Sequence, residues 1–175
     1  MARVSATKLR IRQVKIMREL LEILERNSRV SVGEIAAMLN KSEYEVEKEM
    51  ERLEKEKVIL SYGALVNWER YGDDVVTAVI EINLTPQREV GFDAIAERIY
   101  RYDEVKTVYL MSGNFDLLVI IEGKSLKDVA KFVSTRLSTI EGVTQTRSHF
   151  LLKAYKKDGA ILDNEEQDRR LVVAP

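Results

Sequence analysis

The chain has no cysteine, one histidine, one tryptophan and two prolines in 175 residues. Without thiols there is no disulfide framework and no thiolate nucleophile. A lone His149 completes neither a catalytic triad nor a zinc site, so a structural histidine, an absence of bound metal and a non-enzymatic role are expected. No Gly-x-Gly-x-x-Gly or Walker pattern occurs, which removes the common nucleotide-binding loops. No apolar run approaches the roughly 20 residues of a membrane-spanning helix, and no secretory leader pattern opens the chain, so a cytoplasmic protein away from membranes is expected. Net charge is −1, too small for indiscriminate polyanion binding by the whole molecule, but it averages over unlike regions.

The first eighteen residues hold Arg3, Lys8, Arg10, Arg12, Lys15 and Arg18 with no acid. Ile11, Val14, Met17, Leu21 and Leu24 form a helical stripe through and beyond them. Two readings stay open: a solvated terminus, or a basic arm that meets phosphate through Arg10 and Arg12. Two short helices follow, each opened by a capping box, Ser31-Val-Gly-Glu34 and Ser42-Glu-Tyr-Glu45. Between them Asn40 is suited to a left-handed turn. Ile35, Ala36 and Leu39 on one helix and Val46, Met50 and Leu53 on the next make a single small core. Such spacing suits a helix-turn-helix, whose helices cross closely over small and branched residues. Val58 to Val66 reads as a short strand, and the stretch around Trp68, Tyr71 and Gly72 as a domain boundary with the tryptophan packed between domains.

The second half is organised around Val105 to Gly123, two strands joined at Ser112-Gly113-Asn114. Leu117 to Ile121 is apolar without alternation, so both faces of that strand need cover. Strands at Val75 to Leu84, Val105 to Met111, Phe115 to Glu122 and Val143 to Tyr155 alternate with two amphipathic helices. Thr85-Pro86 opens the first, with Phe92, Ile95, Ala96 and Ile99 inward. Ser125 caps the second, with Leu126, Val129, Ala130, Val133, Leu137 and Ile140 inward. The βαββαβ order gives an α+β chain with a ferredoxin-like domain, a four-stranded antiparallel sheet with both helices on one face. The other face is expected to be covered by a second copy, making a homodimer at least. The organisation is residues 1–60 helix-turn-helix, 61–74 linker strand, 75–155 ferredoxin-like and 156–175 a flexible tail.

The order helix, Ser-Val-x-x-Ile-Ala, turn, Ser-x-x-x-Val-x-x-x-Met-x-x-Leu-x-x-x-x-Val-Ile resembles the N-terminal winged or plain helix-turn-helix domain of the Lrp/AsnC (feast/famine) transcription regulators. The second half, with its Gly113-Asn-Phe-Asp116 turn, resembles the family's effector domain. Together these resemblances span residues 10 to 157 or so. They imply a regulator that binds double-stranded DNA through Ser42, Tyr44, Lys48 and Arg52, aided by Arg10 and Arg12. They also imply a small amino-acid effector, and no other cofactor, at Ser112, Gly113, Asn114, Phe115, Asp116, Thr146 and Ser148. From the residues themselves, Gly113 frees amides to form an anion nest and Asp116 offers the opposite charge; equally, Asp116 closes an Asx-type turn and Gly113 is a hairpin glycine. The chain departs from the family where DNA is read. Ser42 to Lys57 carries seven acids against four bases, Glu49 stands where a base is expected, and Lys57 replaces a glycine. A metabolite-binding or assembly protein with weakened DNA binding is therefore the alternative.

Overall fold

The computed structural model describes residues 16–73, 75–85 and 91–162. Arg10, Arg12, Ile11, Val14, Pro86 and the last thirteen residues of the expected tail lie outside them. The chain separates into two compact units between Leu65 and Val66.

The first unit contains α1 (residues 16–26), α2 (Val32–Leu39) and α3 (Glu43–Lys55). Leu20, Leu24, Ile35, Ala36, Val46 and Leu53 are its buried core, with Met17, Leu39 and Met50 packed beside them. Both capping boxes form: Ser31 and Ser42 accept from the amides of Glu34 and Glu45, and each glutamate accepts from its serine's amide. Bonded to Lys41 first and to the Ser42 amide and hydroxyl next, the Glu45 carboxyl is held down at about 2. Asn40 closes α2 in the left-handed conformation (φ 52°, ψ 51°), as the sequence suggested.

α3 closes in the same way with a residue that has no natural ease there. The amide of Val58 bonds Leu53 O at 2.9 Å and that of Lys57 bonds Glu54 O at 3.1 Å, a paired termination that leaves Lys57 at φ 59°. The Ile59 amide is also drawn to Leu53 O, and residues 58–66 pair with no strand, so the expected strand and wing are absent among the described residues. Backbone donors used to close the helix are not available to a ladder.

The second unit opens with α4 (Trp68–Tyr71), a single turn capped by Asn67 and ended at Gly72 (φ 90°). Trp68 meets Tyr71 edge-on at 6.0 Å and remains 48% exposed, with no buried seat of its own. There follow β1 (Val76–Leu84), α5 (Gly91–Tyr100), β2 (Val105–Leu110), β3 (Leu117–Gly123), α6 (Leu126–Phe132, continued as a π turn over Val133–Leu137) and β4 (Val143–Phe150). Every pairing is antiparallel, in the order β2-β3-β1-β4. Each helix thus joins two strands that have a third between them, as the ferredoxin-like expectation requires.

Both helices lie on one face. Ala78, Ile80, Ile82 and Leu84 of β1 and Leu117, Val119 and Ile121 of β3 bury against Ile95, Ile99, Val129, Phe132, Val133 and Leu137. The unbroken apolar run of β3 thereby splits into two faces. Leu118 and Ile120 point away from the helices, in register with Tyr109, Val79 and Glu81. On that face Glu81 takes Arg147 at 2.9 Å and His149 Nε2 at 3.1 Å, so the histidine is satisfied structurally. In α6 the inward set differs from expectation. Phe132 is buried while Leu126 and Ala130 are exposed, because the π turn inserts a residue and resets the helical phase.

β4 ends at Phe150, five residues before the predicted Tyr155. The segment expected as a flexible tail begins instead with a hairpin, β5 (Lys156–Lys157) and β6 (Ala160–Ile161), turned by Asp158 (φ 46°) and Gly159 (φ 85°). Asp-Gly with both residues at positive φ is the tight turn whose twist matches its strands.

Two outcomes follow from these positions. Lys57→Gly, relieving a side chain in the left-handed region, is expected to stabilise the first unit by about 1 kcal/mol in urea unfolding. An unchanged or lower midpoint would show the site unstrained. Val119→Asp buries a lone carboxylate among the core and should unfold the second unit, a loss above about 4 kcal/mol, whereas Ile120→Asp on the other face should leave its circular dichroism intact.

Candidate functional site

Two places hold the predicted site residues, one in each unit. In the first, α3 begins at its cap with Ser42, whose hydroxyl is occupied by Glu45. Tyr44 stands two residues on, 70% exposed, with the Lys48 ammonium 5.9 Å from its ring centre. One turn apart on a helix, the two share a face, and the ring helps hold the cation without consuming its charge.

Arg52 is not free in this way. Its guanidinium bonds Glu49 and Glu56, each at 2.6 Å, and also touches Met17 of α1. Glu49 foremost, and Glu56 after it, push the Arg52 pKa further up, and the guanidinium sits paired between the two acids. Lys41 pairs with Glu45 at 2.7 Å, and the Tyr62 hydroxyl donates to Glu54 at 2.7 Å. Thus Glu45, Glu49, Glu54 and Glu56 are engaged. Glu43, Glu47 and Glu51, four residues apart and therefore on one stripe, have no ion-pair partner among the described residues. The acidity that the sequence spreads over the whole helix is concentrated by the fold into one line beside Tyr44 and Lys48. A groove of about 860 Å³ runs beside this helix, floored by Met17, Leu20 and Val46 and walled by Tyr44, Lys48, Glu49 and Arg52.

In the second unit the turn between β2 and β3 carries Ser112, Gly113 and Asn114 exposed, with Phe115 and Asp116 half-buried. Gly113 holds φ 156°, with nothing within 4 Å of the space a side chain would fill, so the requirement there is conformational and not steric. Asp116 is tied three ways: its Oδ2 accepts from the Leu84 amide at 2.7 Å, its own amide donates to Ile82 O at 2.9 Å, and its carbonyl accepts from Met111 at 2.8 Å. One carboxylate oxygen is therefore spent on closing β1 against β3, which favours the turn-closing reading for that atom. Thr146 and Ser148 stand on β4 opposite Ile82 and Ile80, facing the helix side of the sheet. The Thr146 hydroxyl lies 3.2 Å from that of Ser138. Leu117, the residue after Asp116, is opposite Ile82 on the other side of β1. The turn and Thr146 thus occupy the same end of the sheet, two strand spacings or about 9.5 Å apart, with β1 between them. Asn83 and Ser138 belong to this cluster and had no sequence signal, since an exposed Asn in a strand and a Ser at a helix end are each ordinary. Among the described residues no group of His, Asp and Glu is arranged to hold a metal ion, and no helix is long and apolar enough to cross a membrane.

Residues 77–161 match the Lrp/AsnC ligand binding domain. The chain is 50% identical over 158 residues to an uncharacterised HTH-type transcriptional regulator, YugG, of Bacillus subtilis, covering 90% of this chain and 95% of that one. It is 28% identical to the HTH-type transcriptional regulator LrpA of Pyrococcus abyssi, over 78% of this chain and 94% of the relative. Among solved structures it superposes on the leucine response regulatory protein LrpA of Mycobacterium tuberculosis with a TM-score of 0.71 at 25% identity, over 85% of this chain and 98% of that one. A transcriptional regulator of Neisseria meningitidis in complex with L-methionine has the same fold, with a TM-score of 0.66 at 22% identity and coverage of 82% and 92%. These relatives are named as regulators and not as enzymes. With a helix-turn-helix unit followed by an effector-type ferredoxin-like unit, and with relatives matched over both, the chain belongs to the Lrp/AsnC family of transcriptional regulators.

Proposed function

We propose that the protein is a cytoplasmic DNA-binding regulator whose affinity for double-stranded DNA responds to a small amino acid or related metabolite, and that it works as a homodimer or an assembly of dimers. The observation that carries this reading is the pairing, in one chain, of an exposed Tyr44–Lys48 face on a capped second helix with a domain that matches the Lrp/AsnC ligand binding domain. The DNA contacts proposed are Tyr44 and Lys48, the α3 end at Ser42, and Arg10 and Arg12. Arg52 acts by neutralising Glu49 and Glu56. The open sheet face, with Leu118, Ile120, Val79 and Tyr109, is proposed to be covered by a second copy. The effector cluster is the 112–116 turn with Thr146 and Ser148; the turn's amides suit a carboxylate, and the remaining Asp116 oxygen suits an ammonium. The L-methionine bound to the Neisseria regulator supports an amino acid as the ligand class.

One observation favours the alternative of weakened DNA binding. Glu43, Glu47 and Glu51 form a stripe that repels phosphate beside the Tyr44–Lys48 face of α3, although a glutamate can accept from cytosine N4 in the major groove. A salt titration of binding to the duplex upstream of the protein's own gene separates the two. Expected are weak binding by a single dimer, a steep fall with salt, further loss in Lys48→Ala or on removing residues 1–9, and about fivefold tighter binding to random duplex in Glu47→Gln at low salt. No binding at any salt hands the chain to the alternative. For the effector, one of the twenty free amino acids is expected to raise the thermal midpoint by mass action, and Asp116→Ala to abolish that rise. A panel without any shift would leave the turn a structural one.

A further inference from the structure

Asn83, the penultimate residue of β1, stands between the two halves of the effector cluster. Its side-chain Nδ2 donates to the carbonyl of Asn114 at 2.9 Å. Its own carbonyl accepts from Thr144 Oγ1 at 3.0 Å. The residues on either side hold the same turn, Ile82 through its carbonyl and Leu84 through its amide, both to Asp116. Three consecutive residues of β1 therefore fix residues 114–116, and of the three it is Asn83 that also receives a side-chain bond from β4. The register of β1 against β4 shifts between Asn83 and Leu84, so the strand leaves its regular ladder at the point where these bonds are made. Two residues beyond Thr144 comes Thr146, itself bonded to Ser138.

A ligand that spans the turn and β4 needs the distance between them fixed in advance, because any ordering left to the moment of binding is subtracted from affinity. We infer that Asn83 is the positioning residue of the effector site, setting the 112–116 turn against β4 without touching the ligand. This rests on the amino-acid effector reading given above. Asp116 does comparable work through Leu84 and is proposed as a ligand contact through its second oxygen; the Asn83 amide holds the turn at Asn114, while the Asn83 backbone carbonyl takes the bond from β4.

The test uses full-length protein with Asn83→Asp, which keeps the shape but replaces the donating amide by an acceptor, together with Asn83→Ala and Thr144→Val. The thermal midpoint is measured without ligand, and the dissociation constant for whichever of the twenty free amino acids shifts the wild type most. The expected result is a midpoint within about 3 °C of wild type, since the bonds are solvent-exposed, with affinity lowered about tenfold in both Asn83 variants and less in Thr144→Val. Wild-type affinity in Asn83→Asp overturns the inference. So does a midpoint loss large enough to account for the weaker binding, which would assign Asn83 to the fold. If no amino acid shifts the wild type, the effector reading fails by itself, and amide hydrogen exchange decides on Asn83. A residue that pins the turn makes the Met111 and Asp116 amides exchange faster, by about tenfold, in Asn83→Asp; unchanged exchange overturns the inference in that case also.

Discussion

A strand that is apolar on both faces has to be covered on both, and β3 is such a strand. One chain supplies cover for one face only: α5 and α6 bury Leu117, Val119 and Ile121 together with the inward residues of β1. With roughly 25 cal/mol gained for each Å² of apolar surface removed from water, the helices are committed to that side. The consequence is an opposite face where Leu118 and Ile120 lie beside Val79 and Tyr109, edged by the Glu81–Arg147–His149 group. The architecture of the second unit, its proposed assembly and the placement of the 112–116 turn at the end of β1 all derive from this one-sided cover.

The first unit meets a different constraint. A helix with many acids is costly to offer to DNA, and the fold responds by pairing acids locally. Arg52 takes two, Lys41 one and Tyr62 another. Exposed pairs of this kind contribute little to stability, but they decide which charges face outward. The surface charge of α3 is thus a product of side-chain geometry and is not readable from a count of residues. Arg52 illustrates the point: the family resemblance implies it as a DNA contact, and the fold pairs its guanidinium with two carboxylates.

The 112–116 turn, proposed for the effector, joins the two themes. Its glycine and aspartate are recognisable as a motif, yet the carboxylate is partly committed to the amide of Leu84, thirty-two residues away in the chain. A buried or half-buried strand end has an amide that needs an acceptor, and the turn supplies it. The same strand end supplies Asn83, so the turn is held by β1 more than by its own residues.

What the sequence by itself determined was whatever depends on near neighbours. The capping boxes at Ser31 and Ser42, the left-handed Asn40 and the βαββαβ order of the second half all rest on contacts within a few residues, and all are present. Only the tertiary structure decided the rest. Which side of β3 faces the helices, the phase change at the α6 π turn, the use of Lys57 where a glycine is easier, the unpaired stretch at 58–66 and the bonds of Asn83 and Asp116 to distant strands each turn on partners brought together by folding. A periodic pattern specifies that a face is buried but not against what, and a polar side chain in the sequence carries no mark of the distant amide or carboxylate that will claim it.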